Sequence, residues 1–143
     1  MDQVAAKVKD LLPKVDLLAF LDTLYNLRRS GRVSKIKAWT GELLGVKPLT
    51  ELRLGEARML ELPRSRPKAM KRMVDIMRQR VGQKPVFANV MQADAEEDAQ
   101  ALQRRIDAEF NCRELFVSQF TPVMGAHTGP GLLGVAFYVG EEE

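Results

Sequence analysis

The sequence predicts an α/β (α+β) fold in which helices pack in a second layer against one mixed sheet of about six strands. Helix-like and strand-like apolar patterns alternate along most of the chain. One neighbouring pair of strand-like segments is typical of an antiparallel hairpin. The 143 residues suffice for one domain with a sizeable core, and they contain no internal repeat or linker. We therefore expect residues 1–143 to form a single domain.

The first part of the chain is predicted to hold a helix, a buried strand and a short helix. Residues 2–12 place apolar side chains on one helical face, which a proline ends. Residues 15–21 are almost continuously apolar, as expected for a short buried strand. Asp22 or Thr23 is then predicted to cap a helix over residues 24–29.

A further helix and a hairpin are predicted next. Ser34 has the residue type of an N-cap, and Ile36, Trp39 and Leu43 follow at helical spacing until Gly45. After this helix, two strand-like segments joined by a glycine predict an antiparallel hairpin, over residues 46–54 and 56–62.

A long helix with a methionine-rich stripe has the clearest periodicity in the chain. We interpret the stripe as core packing rather than as an adaptable binding groove, because an apolar helix face normally meets a core. The stripe consists of Met70, Met73, Val74, Met77 and Val81.

The C-terminal part is predicted to contain three strands and one more long helix. The strand-like segments are residues 85–91, 112–120 and 133–139. Between the first two, Asp94 is predicted to cap a helix over residues 95–110.

The composition fits a globular protein and excludes several classes of partner. Hydrophobic residues make up 45% of the chain, charged residues 29%, and the net charge is only +3. This charge is small for a nucleic-acid-binding face, so we expect no nucleic-acid partner. No apolar run approaches the roughly 20 residues of a membrane helix, and the start lacks a secretory signal. We expect a cytoplasmic protein without an integral membrane segment.

The sequence offers no set of metal ligands and no nucleotide-binding motif. Cys112 and His127 are the only cysteine and the only histidine. This excludes an internal disulfide and a Cys-based zinc site, and we expect Cys112 to be a packed thiol. Glycine-rich phosphate loops with a following lysine are also missing. We therefore expect no metal and no cofactor.

His127 lies in a glycine- and proline-rich segment for which an irregular loop is predicted. Gly129 and Gly131 can adopt positive φ, and Pro130 fixes φ between them. The imidazole could act as a general base, donate a hydrogen bond to a bound anion, or be an ordinary loop residue. Catalysis would need a nearby nucleophile or supporting carboxylate, and no neighbour in sequence supplies one. We expect no catalytic residue and favour a contact to an anionic ligand.

A second segment suited to an anion ends the predicted helix over residues 24–29. Gly31 breaks that helix, and Arg32 follows immediately before the predicted helix start at Ser34. A guanidinium beside backbone N–H groups fits a carboxylate or a phosphate. The simpler interpretation is that Arg32 is a solvated turn residue.

These two segments together resemble the DegV family of bacterial fatty-acid-binding proteins. Residues 22–34 contain the Gly31-Arg32-Val33 turn, and residues 122–138 contain the His-x-Gly-Pro-Gly pattern that begins at His127. Residues 43–49 add a third matching segment, and the resemblance extends from about residue 20 to residue 138.

The resemblance implies a non-enzymatic lipid-binding domain, the C-terminal half of a DegV-like protein, with a two-layer fold and a six-stranded mixed sheet. In the family a Rossmann-like domain precedes this half, which we expect to be absent here, and the fatty acid lies between the two halves. Arg32 and His127 would lie near the fatty-acid carboxylate. The residues implied to shape the site are Gly31, Gly125, Gly129, Pro130 and Gly131.

The resemblance also implies that the full protein presents a long-chain fatty acid to a fatty acid kinase. We expect this chain alone to bind fatty acid weakly or not at all, and to expose an apolar surface that favours self-association. The alternative is a protein-interaction module that docks a kinase or a separately encoded N-terminal domain. Its basic face would comprise Arg64, Arg66, Lys68, Lys71 and Arg72.

Overall fold

One mixed sheet forms the centre of the protein in a computed structural model that describes residues 1–31, 36–37 and 45–141. Of residues 36–37 only the backbone is described. In chain order the strands are β1 (Asp16–Phe20), β2 (Ile36–Lys37), β3 (Leu49–Arg53), β4 (Glu56–Glu61), β5 (Val86–Ala93), β6 (Cys112–Gln119) and β7 (Leu132–Val139).

Five α-helices and one short 3₁₀ turn accompany the sheet within the described residues. The helices are α1 (Asp2–Leu11), α2 (Tyr25–Arg29), α3 (Arg66–Val81), α4 (Glu96–Glu109) and α5 (Pro122–Thr128). The 3₁₀ turn, Leu12–Lys14, follows α1 and contains the proline that was predicted to end it.

The sheet order is β2-β4-β3-β1-β7-β5-β6. The β2–β4 and β5–β6 pairs are parallel and the other neighbouring pairs are antiparallel, including the hairpin of β3 and β4. The predicted α/β class with a mixed sheet is therefore confirmed. Each of the six predicted strands is present, and the two-residue β2 adds a seventh at the edge.

The larger hydrophobic core lies between the sheet and helices α3 and α4. From β1, Leu18 and Phe20 enter this core, and both are fully buried. The methionine stripe of α3 packs into it as predicted, with Met73 and Met77 fully buried. Helix α3 therefore packs on the sheet with the apolar face that the spacing of its residues predicts.

A smaller core lies on the opposite face of the sheet. The alternate β1 residue Ala19 belongs to it, and so does Leu21, just past the end of the strand. Leu24 and Leu27 pack there from the start of α2 and from its centre. Helices α2 and α5 contact each other, so this face is covered at one end by two short helices.

Two local predictions were wrong and a third holds only in part. Residues 36–37 form β2 rather than part of a helix that begins at Ser34, and the rest of that predicted helix lies outside the described residues. Helix α4 has Ala95 as its N-cap, because Asp94 has φ 51° and the Gln92 side chain accepts the Ala95 N–H. Helix α2 has Leu24 rather than Asp22 or Thr23 at the N-cap position, although the Thr23 hydroxyl accepts a hydrogen bond from the Tyr25 N–H at 3.3 Å.

The segment around His127 was predicted to be irregular, and most of it is helical. Thr121 caps α5 by accepting a hydrogen bond from the Met124 N–H at 3.4 Å, and Pro122 occupies the first turn. The helix ends where Gly129 adopts φ 80°. The irregular connection is therefore confined to residues 129–131.

Candidate functional site

An apolar cavity of about 200 Å³ lies on the face of the sheet that carries α2 and α5. All of its lining residues except Thr50 and Thr128 are apolar. The lining consists of Leu17, Ala19, Leu21, Leu27, Thr50, Leu52, Ala57, Phe120, Met124, Thr128 and Leu132. A cavity with this lining suits a hydrocarbon rather than a polar metabolite.

Strand alternation builds one wall of the cavity. Leu17 and Ala19 lie on the same side of β1, and Leu21 continues that row at the end of the strand. The four residue steps from Leu17 to Leu21 correspond to about 13 Å of extended chain. On β3, Leu52 pairs with Leu17 and Thr50 pairs with Ala19, so the wall continues across the sheet. The small side chain of Ala19 leaves room in the middle of this wall.

The two threonines do not make the cavity polar, because main-chain carbonyls accept hydrogen bonds from both hydroxyl groups. Thr50 Oγ1 donates to the Ala19 carbonyl at 3.0 Å. Thr128 Oγ1 donates to the Met124 carbonyl at 2.7 Å. Each hydroxyl hydrogen is thus already used within the fold, and no hydroxyl donor remains for a ligand at these two positions.

Helix α5 links the cavity to His127. Met124 and Thr128 both line the cavity from this helix, at a spacing of four residues that places them on one face. His127 lies between them in sequence, is half-buried, and does not line the cavity itself. The predicted anion-contacting residue is thus carried by the same short helix that lines one side of the apolar cavity.

The connection after α5 is held tightly from several sides. Gly129 and Gly131 have φ 80° and 93°, as their residue types predicted. The Gly129 N–H donates to the Gly125 carbonyl at 2.8 Å, and the Gly131 N–H donates to the Ala93 carbonyl at 2.7 Å. Of the predicted loop-shaping residues, Gly125 lies inside α5 and contributes no positive φ.

Arg66 sits at the junction of this connection with two other segments. Its Nη1 donates to the Gly131 carbonyl at 2.7 Å and to Asp22 Oδ1 at 3.3 Å. Its Nε donates to Asp98 Oδ2 at 2.7 Å. The guanidinium carbon also lies 4.9 Å from the centre of the Phe20 ring, a cation–π contact.

Asp22 forms ion pairs with two cations, Arg66 and Lys47. Lys47 Nζ lies 3.1 Å from Asp22 Oδ1 and also donates to the Asp22 main-chain carbonyl at 3.0 Å. Partial burial acts to raise the pKa of Asp22, but the hydrogen bonds and charges of Lys47 and Arg66 outweigh it and hold the pKa below its ordinary value. Asp22 is therefore an anionic anchor for both cations.

The other half of the predicted anion site is only partly described. Helix α2 ends at Arg29, and Gly31 has φ 73°, which agrees with the predicted glycine break. Arg32 lies outside the described residues. Its proximity to His127 therefore stays a prediction.

The predicted basic face is largely neutralised by its own neighbours. Arg66 is committed to Asp22, Asp98 and Gly131 as described above. Arg72 makes two hydrogen bonds to Glu61, at 2.7 and 2.5 Å, and Lys71 pairs with Asp75 at 3.3 Å. Of the remaining members, Arg64 and Lys68 are exposed.

Other chemistry gains no support in the part of the chain that the structure describes. No group of three or more potential metal-ligating side chains occurs among residues 1–31 and 45–141. No described helix has the length and apolar character needed to cross a membrane. Burial raises the pKa of the Cys112 thiol, with a smaller contribution from Asp107, which makes it less reactive.

Two contacts at this site were not anticipated from the sequence. Asn26 lies against Gly129, and Arg66 bonds to Gly131. Arg66 was assigned to a basic surface face, and Asn26 was assigned no role. Neither residue type signals its contact, because the partners in each contact lie far apart in the sequence.

Fold and site together define a mixed α/β fold with an apolar cavity that is lined in part by a histidine-bearing helix. A family model described as uncharacterised proteins of the DegV family matches residues 1–140. The chain therefore belongs to the DegV family, which confirms the resemblance drawn from the sequence.

The relatives are longer than this chain. It is 43% identical over 117 residues to a DegV domain-containing protein of Streptomyces coelicolor, covering 81% of this chain and 42% of that protein. It is 33% identical over 144 residues to a DegV domain-containing protein of Mycobacterium tuberculosis, covering 98% of this chain and 50% of the relative. The chain thus spans about half the length of these relatives.

Solved structures of the family share the fold. A DegV family protein from Thermus thermophilus, described by its fatty acid binding, is 27% identical with a TM-score of 0.82, over 97% of this chain and 50% of that one. DegV from Bacillus subtilis, described as a fatty acid binding protein, is 28% identical with a TM-score of 0.80, over the same shares.

Proposed function

We propose that this chain is the acyl-binding part of a DegV-like fatty-acid carrier. The observation that supports this is the apolar cavity beside α5, in which both lining hydroxyl groups are bonded to the main chain. The related structures from Thermus thermophilus and Bacillus subtilis are described as binding fatty acid. Each methylene moved from water into such a cavity contributes about 0.8 kcal/mol to binding.

The carboxylate is proposed to lie outside the cavity, near His127 and Arg32. Met124 and Thr128 of α5 line the cavity, and His127 belongs to the same helix. An imidazole and a guanidinium are suitable donors to a carboxylate. This assigns His127 a binding role rather than a catalytic one, and the protein a carrier rather than an enzyme.

The affinity of the chain by itself is proposed to be low. The cavity, at about 200 Å³, is smaller than the roughly 300–1,000 Å³ of typical small-molecule sites. The cavity would hold only part of a long acyl chain, so further surface is needed to enclose the remainder. In the whole carrier the head group is proposed to be presented to a fatty acid kinase.

The test combines lipid extraction with titration. The chain is delipidated, titrated with a C16 fatty acid, and compared with His127→Ala, Arg32→Ala and the control Val123→Ala. Val123 is an exposed residue of the same helix. Each of the first two variants should weaken binding by about tenfold, as for loss of one charge-assisted bond.

Unchanged affinity in both His127→Ala and Arg32→Ala would refute the head-group assignment. A wild-type chain that yields no fatty acid by mass spectrometry and shows no saturable binding at millimolar ligand would argue against acyl binding by this part of the carrier. Tight binding, with one acyl chain extracted per protein, would contradict the proposed low affinity.

One observation favours a protein-interaction function as a second candidate. Helix α1 exposes an apolar row of Val4, Val8 and the following Leu12, with 66%, 50% and 54% of their surfaces accessible. The neutralised basic face makes docking through Arg72 or Lys71 the weaker form of this candidate. Capture of a fatty acid kinase or a separate N-terminal domain that is lost in Val4→Ser/Val8→Ser, with no lipid bound, would support this candidate. Capture that the two substitutions leave unchanged would oppose it.

A further inference from the structure

Arg66 holds together three segments that are far apart in the sequence. Its guanidinium bonds to Asp22 just after β1, to Asp98 on α4, and to the Gly131 carbonyl before β7, with sequence separations of 44, 32 and 65 residues. Only 23% of the Arg66 side-chain surface is exposed. This is a partly buried junction rather than an isolated surface ion pair.

Two of the segments joined by Arg66 lead to helices α2 and α5, and α5 carries His127. Asp22 immediately precedes the turn into α2, the helix that ends at Arg29 before Gly31 and Arg32. Gly131 closes the connection that begins directly after α5 and His127. A displacement of either segment at Arg66 therefore moves the helix that carries His127 relative to α2.

The geometry of the junction requires a planar, forked donor. Nη1 reaches a carboxylate and a main-chain carbonyl simultaneously, while Nε and Nη2 each lie 2.7 Å from the Asp98 carboxylate. A lysine has one compact ammonium group and cannot present donors in these directions. Gly131 also leaves no space for adjustment, because a Cβ there would lie 3.0 Å from Arg66 Nη1 and 2.8 Å from Asp22 Cβ.

We propose that Arg66 is the positioning residue of the carboxylate site, which fixes the His127 helix relative to the α2 segment without contacting the ligand. The inference rests on the proposed function. It predicts that loss of Arg66 alters the environment of His127 and selectively weakens recognition of a carboxylate head group. The apolar cavity itself should continue to accept a neutral acyl ligand.

His127 provides a direct readout because it is the only histidine in the chain. The two C–H protons of its ring therefore give a single set of signals in a histidine-selective NMR spectrum. In Arg66→Gln this signal should shift or split. The matched control is Arg72→Gln, since Arg72 lies on the same helix and is also paired with two carboxylates, Glu61 and Asp75. In this control the His127 signal should stay in place, because those partners belong to β4 and α3 and not to the connection after α5.

The binding readout compares a C16 fatty acid with the C16 alcohol, which has a neutral head group. Arg66→Gln should reduce the preference for the acid by about tenfold, whereas Arg72→Gln should retain the wild-type preference. Arg66→Lys keeps the charge but lacks the fork, so it should behave like Arg66→Gln. It also serves as the test variant if Arg66→Gln does not fold.

The two readouts separate the failure of this inference from the failure of the proposed function. An unchanged His127 signal in the Arg66 variants, or an equal loss of acid and alcohol binding, overturns the positioning role. A wild-type chain that binds the alcohol as well as the acid instead refutes the carboxylate site. In that case the His127 signal still decides whether Arg66 positions α5.

Discussion

The side-chain amide of Asn26 lies directly against the backbone of Gly129. Asn26 belongs to α2, and Gly129 ends α5 with φ 80°. A Cβ built at Gly129 would overlap with the Asn26 amide nitrogen. The two short helices that flank the cavity therefore meet at a point where only a glycine fits.

Gly129→Ala is expected to reduce the free energy of unfolding by about 2 kcal/mol, because a positive φ with a Cβ is strained and the Asn26 amide must move. Urea denaturation measures this loss. Gly125→Ala is the matched control, since it lies inside α5 and a Cβ there meets nothing within 4 Å. The control should be neutral or stabilise by up to about 1 kcal/mol. Equal stability of the two variants would contradict the prediction.

The local conformations were largely predictable from residue type, whereas the helix containing His127 was not. The Gly-Pro-Gly motif correctly indicated positive φ at Gly129 and Gly131. The same segment contains Thr121 and Pro122, a suitable N-cap and first-turn residue, but Gly125 weakened the helical pattern. A helix of seven residues depends on tertiary packing, here against α2, which periodicity does not reveal.

The cavity and the Arg66 junction depend on tertiary registers that a linear pattern does not contain. Strand periodicity assigns Leu17 and Ala19 to one face, but the cavity forms because Thr50 and Leu52 pair opposite them. Arg66 and Gly131 are 65 residues apart, and their bond follows only once β1, β7 and α3 are assembled. The sequence therefore predicts the elements and the donor types better than their mutual placement.

Thr121→Ala is expected to destabilise α5 by about 1 kcal/mol, because the hydroxyl no longer accepts the Met124 N–H. Hydrogen exchange of the Met124 amide should become faster by about fivefold, the equivalent of 1 kcal/mol. Thr121→Ser, which keeps the acceptor oxygen, is the control and should exchange at nearly the wild-type rate. Unchanged exchange in Thr121→Ala would show that the cap does not hold the helix.

Ala19→Leu is expected to fill the cavity and prevent acyl binding while stabilising the lipid-free protein by about 1 kcal/mol. Ala19 lines the cavity from the middle of β1, where added carbon atoms have space. Ala88→Leu is the matched control because Ala88 packs in the core under α3 and α4. Crowding there should cost about 1–3 kcal/mol. Thermal unfolding and fatty-acid titration measure the two effects, and undiminished binding by Ala19→Leu would place the acyl chain elsewhere.

The free energy of unfolding should fall in acid as carboxylates that are paired with arginine become protonated. Glu61, which is paired with Arg72, is the example that we test. The hydrogen bonds from Arg72 lower the pKa of Glu61, against a smaller opposing effect of burial. Its unfolded pKa is about 4.3. A lowered folded pKa means that the pair stabilises the fold fully above this value and loses its contribution as pH falls through the folded pKa.

Glu61→Gln should therefore lose about 0.5–1 kcal/mol of unfolding free energy at pH 6, a range that allows for solvent screening of this partly exposed pair. The difference from wild type should shrink as the pH falls from 6 to 3, because the ion pair loses its contribution as the wild-type carboxylate becomes protonated. Urea denaturation at pH 6, 4 and 3 follows this convergence. Glu114→Gln on the exposed side of β6 is the control, with little change at any of the three pH values. A difference that stays constant from pH 6 to pH 3 would show that the charge of Glu61 contributes nothing.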